Sequence, residues 1–326
     1  MSYTLSANIK IGTQINIDYV HEVNIKSSWN LLTSTASIKL PRNSRLVGDP
    51  DGIKKYIKQG DKVIISLGYD GNLNQEFEGF VSGLIPSVPL EISCEDFMYQ
   101  FKRVRITKTF KQVTLQDLIT YFVSEYHSNP TRPRINYITQ QTDIIGAYVF
   151  QGATIAQALE TLKSTTGFVS YFRGNTLYVG FAYQFEGTNK RVTYHFEKNV
   201  ADNGLVYKLS DDLKIHVKAI SNQKNGQQLT YETGDPDGEQ RTLNYTNASL
   251  AFLKEKADDD MKKFKAEGYR GNLTGFGLPF VQHGDTAILQ TDLFPEREGG
   301  YIVDGVDVKF GMEGFRRILQ PGYKVL

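Results

Sequence analysis

The chain has 326 residues, 40% of them apolar and 22% charged, with 37 Lys and Arg against 36 Asp and Glu. That length calls for about two to four modules rather than one small core, and the balance excludes wholesale disorder. A net charge of +1 lacks the basic excess of a duplex-binding protein, and a single cysteine excludes an intrachain disulfide framework and a multi-thiolate zinc site.

The opening residues, MSYTLSANIKIG, carry no charged start followed by an apolar core, and no run approaches the ~18 apolar residues of a membrane helix. A chain made in a cytoplasm, without membrane insertion, is expected. With 19 Tyr and 19 Phe beside frequent Thr, Val and Ile, the composition favours half-buried pleated surfaces.

The first hundred residues read as strands. NIKIGTQINID alternates Ile9, Ile11, Ile15 and Ile17 with polar partners. HEVNIKSSW and TASIKLP continue the pattern, with Pro41 closing the latter. KVIISLG follows a Gly-Asp turn and precedes a second turn at Tyr69-Asp70-Gly71; EFEGFVSGLI and PLEISC add two more strands. Six short strands at regular spacing predict a small barrel or sandwich.

The period then becomes helical. Leu115, Leu118, Ile119 and Phe122 share a face, started by Thr114 with Asp117 as a variant capping box. Thr154 and Gln157 open a second helix with Ile155, Ala158, Leu159 and Leu162 inside, stopped at Gly167. Two strands joined by Arg173-Gly174-Asn175 complete an α+β region. Strands return beyond residue 186, with an Asn225-Gly226 hairpin signal and a polar loop, ETGDPDGEQR. A last helix places Leu250, Leu253, Ala257, Met261 and Phe264 on one face before strands end the chain. Near the end HGDTAILQTD (283–292) echoes QGDKVIISLG (59–68), each followed by a Gly-containing strand, FEGFVSGLI and YIVDGVDVKF.

The predicted architecture is mainly β with an α+β insert: two similar small barrels flanking a helix-containing middle. Its expected divisions are an N-terminal barrel at 1–100, an insert at 101–185, a β-rich connection at 186–246, and a helix plus closing barrel segment at 247–326.

Catalytic signatures are weak throughout. Cys94 stands beside Glu95 and Asp96, but His21, His127, His195, His216 and His283 all lie far from it in sequence, and a buried thiol at a strand end accounts for it. The acids at 211–212 and 258–260 read as solvated surface, the latter amid lysines of a helix. The histidines lack HxH or HExxH spacing, and DPDGEQ lacks the full spacing of a calcium loop. Neither a nucleotide-binding glycine motif nor a nucleophile elbow occurs. No catalytic residue, metal or cofactor is expected. The candidate interaction surface is the acid-free run of Lys102, Arg103, Arg105, Lys108 and Lys111, which suits nucleic acid, an acidic protein groove, or the wet face of an ordinary strand.

Taken in order, GDKVIISLGYDG, FEGFVSGLIPSVP, LEISCEDFMYQFKR, TLQDLITYFVSEY, TIAQALETLKSTTGFVSYFRGNTLYVG and the closing GNLTGFGLPFVQHGDTAILQTD…GGYIVDGVDVKFGMEGFRRILQPG resemble one family. It is the tail hub or baseplate hub proteins of tailed phages and related contractile injection machines, including late control D proteins and the base of the VgrG spike. Cys94 and Glu95 stand where those proteins commonly have Gly-Arg. The resemblance covers nearly the whole chain and implies a virion tail location. It implies a homotrimer whose two barrels per chain make six comparable units around a channel, between a hexameric tail tube protein and a trimeric spike or tail-tip protein. Tape-measure and baseplate proteins are further implied partners, and balanced charge suits a lumen past which DNA slides without specific binding. With no β-helix or lysozyme-like segment after Leu326, a spike is expected as a separate polypeptide. Two other classes remain open: a barrel that binds glycan or single-stranded nucleic acid through its tyrosines, and a hydrolase using Asp96 or Asp211.

Overall fold

The protein is mainly β; the structure, a computed structural model, describes residues 3–41, 56–85, 89–139, 144–180, 190–223, 227–246 and 248–325. β1 (Leu5–Ile11) and β2 (Ile15–Ile17) come first. The four alternating isoleucines read as one strand. Instead the chain doubles back, with Ile9 opposite Ile17 and Ile11 opposite Ile15. An even spacing keeps side chains on one face whether a strand runs on or reverses, so the pattern alone does not separate the two.

β3 (Glu22–Ser28), β4 (Thr35–Leu40), β5 (Lys62–Tyr69), β6 (Asn72–Ile85) and β7 (Leu90–Glu95) follow. β5 and β6 are joined by the two-residue turn Asp70-Gly71, both at positive φ, which matches the twist of the strands it joins.

The middle region contains α1 (Met98–Phe101), β8 (Arg105–Thr114), α2 (Leu115–His127), β9 (Asn136–Ile138) and β10 (Ile144–Thr154). It ends with α3 (Ile155–Thr166), β11 (Val169–Arg173) and β12 (Thr176–Gly180). Both expected helices form. Thr154 and Gln157 make a full reciprocal capping box, and the Gly167 N–H donates to Lys163 O at 2.8 Å. At α2, Thr114 Oγ1 accepts the Asp117 N–H, while the shorter Asp117 side chain accepts from the Thr114 hydroxyl, not from its backbone. Phe97, Phe101, Phe122, Tyr126, Leu159 and Phe172 are buried in this region's core, and Phe80 reaches into it from β6.

β13 (Arg191–His195) and β14 (Val200–Lys208) precede β15 (Ile215–Asn222), β16 (Gln228–Gly234), β17 (Glu239–Thr246) and α4 (Leu250–Phe264). α4 covers the β16-β15-β17 sheet with Leu253 and Ala257 fully buried; Leu250 is exposed. β15 and β16 are antiparallel neighbours, but the expected Asn225-Gly226 turn lies outside the described residues. β18 (Gly268–Phe276), β19 (Thr286–Gln290), β20 (Gly299–Gly311) and β21 (Gly314–Lys324) close the chain.

Two closed barrels were expected; the described strands of both ends form one sheet. It runs β14-β18-β21-β20-β3-β4-β7-β6-β5-β1-β2, with β13 beyond β19 on β20, and it does not return on itself. The cause is β20. β19 covers its first residues only, leaving 305–311 to pair with β3, from Gly305 opposite Ser28 to Gly311 opposite Glu22. One apolar cluster, from Ile9 and Val23 to Val308 and Leu319, therefore spans both halves. β13 and β14 belong to this sheet, while the separate small core holds Ile215, Val217, Ala219, Leu253 and Ala257. The division expected at 185–186 falls outside the described residues.

The sequence echo is a structural repeat. The order β3-β4-β7-β6-β5-β1 in the first half corresponds to β14-β18-β21-β20-β19-β13 in the second, with the strands also in matching chain order. Gly60 N–H donates to Val81 O and Val81 N–H to Asp61 O, at 2.8 and 2.9 Å; Gly284, Val303 and Asp285 make the same pair at 2.7 and 2.9 Å. Asp61 Oδ2 accepts the Lys58 N–H at 2.7 Å, and Asp285 Oδ2 the Gln282 N–H at 2.9 Å. One register shift is shared, between Val81 and Gly83 and between Val303 and Gly305, while β20 has a second, between Tyr301 and Val303, with no counterpart in β6 against β7. One pairing differs: β1 runs antiparallel to β5, whereas β13 runs parallel to β19.

Gly60 and Gly284 turn these corners at φ +96° and +85°, with space for a methyl group around each. Gly60→Ala and Gly284→Ala should therefore cost the same, about 1–2 kcal/mol of backbone strain each. Chemical unfolding midpoints of the two variants check this.

Candidate interaction surfaces and the buried polar seam

Polar side chains meet where the two halves and the middle region come together, around a cavity of about 50 Å³ lined by Glu76, Asp96, Arg173, His283 and Arg317 among others. Glu76 lies on β6 and Arg317 on β21, each 1% exposed, with Arg317 Nη2 2.6 Å from Glu76 Oε1. The guanidinium also donates to Gly277 O through Nε and Nη2 and to Val281 O through Nη1. Burial lifts the Glu76 carboxyl above the ordinary range, and Arg317 partly offsets it.

A second pair joins the middle region to the duplicated corner. Arg173, at the end of β11, donates from Nη2 to Asp285 Oδ1 at 2.7 Å and to Gln282 Oε1 at 3.2 Å. Beside it His283 is fully buried against the Tyr171 ring, 5.0 Å between centroids, and neither ring nitrogen has a hydrogen-bond partner. Burial, with Arg173 adding to it, pushes the imidazole down to about 3.

The Cys94–Asp96 stretch belongs to the same junction. Cys94 is buried in β7, and burial pushes its thiol up to about 12, which removes the thiolate a nucleophile needs. Asp96 accepts the Ser34 N–H at 2.7 Å and the Met98 N–H at 2.9 Å, tying β4 and α1 to the end of β7. Burial pushes its carboxyl up to about 7 against those donors. Asp211 sits apart, exposed on a short turn at Ser210–Asp212. In the DPDGEQ loop, Asp235 Oδ2 accepts the Ile215 N–H and pairs with Lys265 at 2.8 Å, a structural fastening.

One group of potential metal-ligand atoms occurs among the described residues: His195, Glu197 and Asp292. His195 Nδ1 lies 3.0 Å from Glu197, and its Nε2 lies 3.3 Å from Asp292. Lys198 Nζ stands 3.0 Å from that same Nε2 and 4.0 Å from Asp292, so a cationic side chain already lies beside the group. Glu197 also accepts the Thr291 hydroxyl at 2.7 Å.

Three members of the basic run are engaged within the chain. Lys102 pairs with Glu95 at 2.6 Å, Arg103 lies 4.3 Å over the Tyr99 ring, and Arg105 donates to Gly152 O at 2.8 Å. Lys108 and Lys111 are exposed on β8, on either side of Phe110, with Lys108 5.9 Å from the Tyr121 ring. Of the many tyrosines, Tyr126, Tyr148, Tyr194 and Tyr301 are core residues, whereas Tyr3, Tyr19 and Tyr56 are exposed.

The polar seam left little trace in the sequence. Arg317 lies in Gly-Phe-Arg-Arg and Asp285 in the repeated Gly-Asp turn, but Glu76 and Arg173 carried no local signal.

With this fold and seam in view, the chain can be set against known proteins. It matches no family model and no curated protein sequence. Among solved structures it is similar to a tail protein from Neisseria meningitidis MC58, with TM-score 0.67 at 14% identity over 98% of this chain and 96% of that one. It is also similar to the 43 kDa tail protein of prophage MuSo2 from Shewanella oneidensis, with TM-score 0.62 at 13% identity over 97% of each. A type VI secretion component of E. coli, c3393, described as structurally similar to T4 tail proteins gp27 and gp5, gives TM-score 0.58 at 12% identity over 98% and 79%. The fold is that of phage tail proteins and their secretion-system counterparts.

Truncating Glu76 strands a buried guanidinium. Glu76→Ala should destabilise by about 3–5 kcal/mol, whereas replacing both partners by Met should cost much less; unfolding midpoints of the three proteins check this. His283 binds no proton in the fold until pH nears 3, but does so in the unfolded chain below its usual value of 6.5. Acidification below that value should therefore erode stability less in His283→Phe than in the parent, the Asp96 contribution being common to both. Melting temperatures across that range provide the readout.

Proposed function

We propose that this chain is a structural hub of a phage tail or tail-like injection machine. Three copies form a ring of six comparable units that joins a hexameric tail tube to a trimeric spike or tip and encloses the DNA channel. The carrying observation is the repeat: two sheet halves with the same strand order and hydrogen-bonded corners, in a fold shared with tail proteins. A chain with two like halves can present a sixfold set of surfaces to one neighbour and a threefold set to another.

On this reading the tail tube protein and a spike or tail-tip protein are the main partners, with tape-measure and baseplate proteins beside them. DNA passes without specific binding, consistent with the net charge of +1. The basic run Lys102, Arg103, Arg105, Lys108 and Lys111 is proposed as a contact surface for an acidic groove of a neighbouring protein, with Lys108 and Lys111 its most exposed members on β8. No catalytic step is assigned.

Light scattering after size exclusion should give three times the 36.8 kDa chain mass, with a ring in negative-stain images. A stable dimer would overturn the hub reading.

A further inference from the structure

The two halves match as far as Leu289 opposite Gly299, the counterpart of Ile65 opposite Phe77. Ile65 and Leu289 stand equally far along the chain from their Gly-Asp corners, as Phe77 and Gly299 do from Val81 and Val303. Beyond that pair the halves part. The first carries its ladder on to Tyr69 opposite Asn72. In the second the ladder stops, and side chains hold the chain between β19 and β20 instead.

Glu197, in the turn after β13, accepts the Thr291 hydroxyl at 2.7 Å and the Asp292 N–H at 3.3 Å, while the Thr291 N–H donates to Glu298 at 3.1 Å. The turn is itself fixed: the His195 N–H donates to Asn199 Oδ1 at 2.7 Å, and Asn199 Nδ2 to Thr193 O at 3.1 Å. Two fastened segments thus bring together an imidazole and two carboxylates. One ring nitrogen and one oxygen of each acid all lie within 4.8 Å of one another. The His195 side chain is only 13% exposed, and its buried Nδ1 makes no hydrogen bond although Glu197 Oε2 stands 3.0 Å away. One ammonium, that of Lys198, faces the two acids. Its side chain is 67% exposed and meets Asp292 only at 4.0 Å, so it can turn out to water at little cost.

We propose that His195, Glu197 and Asp292 bind a divalent transition-metal ion of the Zn2+ class. An imidazole with two carboxylates suits Zn2+, Co2+ or Ni2+ better than Mg2+ or Ca2+, which favour shells of oxygen alone. Tetrahedral Zn2+ holds such ligands at about 2.0–2.2 Å, hence about 3.4 Å from one another, so the donor atoms close in by about 1.4 Å at most. The fourth position is left to water. The ion replaces a single positive charge by a double one and ties the end of β13 to the loop that stands in for the ladder, where Leu293 and Phe294 are exposed.

The test is calorimetric titration of the full chain with ZnCl2 at neutral pH. One site per chain is expected, with a higher melting temperature when it is filled. His195→Ala and Asp292→Asn, the latter at an exposed position, should each weaken binding by about tenfold or more and remove the melting shift. Lys198→Ala should tighten binding, because the charge that opposes the ion is gone. MgCl2 should give no binding heat. His216→Ala should bind as the parent does, although His216 also lies 3.3 Å from a carboxylate, that of Glu232. No Zn2+ binding by either the parent or Lys198→Ala overturns the site. Binding that His195→Ala and Asp292→Asn leave unchanged, or that His216→Ala abolishes, overturns it as well.

Discussion

A guanidinium with almost no exposure must find an acceptor for its donors or unfold the region around it. Arg317 meets that demand with Glu76 from the first half of the sheet and with Gly277 and Val281 from the loop before β19. Three separate pieces of chain are thereby held at one point. Arg173 and Asp285 do the same between the middle region and the second Gly-Asp corner. In the small cavity beside them Glu76, Asp96, Arg173 and Arg317 each fasten separate segments, and His283 packs against the Tyr171 ring with neither nitrogen partnered.

The elements were largely legible, because period and capping are local. Leu118, Ile119 and Phe122 announced α2, and Thr154 with Gln157 announced α3 down to the reciprocal hydrogen bonds. The isoleucines at 9, 11, 15 and 17 were legible as one face but not as a hairpin, since an even spacing survives reversal. What the sequence hid was long-range. Nothing near Glu76 signals a partner 241 residues away, and nothing in β20 shows that its second part is held by β3. Pairing between distant segments is decided by shape and register, which a local pattern does not encode.

The repeat lies between these cases. Two short Gly-Asp stretches suggested it, and the corner hydrogen bonds, one shared register shift and the strand order extend it across both halves. The halves have nonetheless diverged where they meet their surroundings. β13 runs parallel to β19 where β1 runs antiparallel to β5, and a sheet with its own helix has been placed between β14 and β18. The interior corner is common to both halves, and the outer strands carry the differences.

The joint of β3 with β20 also sets an order of events during synthesis. Ser27 and Val306 bond across 279 residues, so β3 leaves the ribosome long before its neighbour exists. At about 5–20 residues per second that interval is roughly 14–56 s. During it the first half carries a bare sheet edge beside the buried valines and isoleucines of an unfinished core, a state that invites wrong pairing. The Lys26 side chain on that waiting strand is then more than the later partner of Asp307: a charged residue on an open edge discourages premature association until the correct strand arrives.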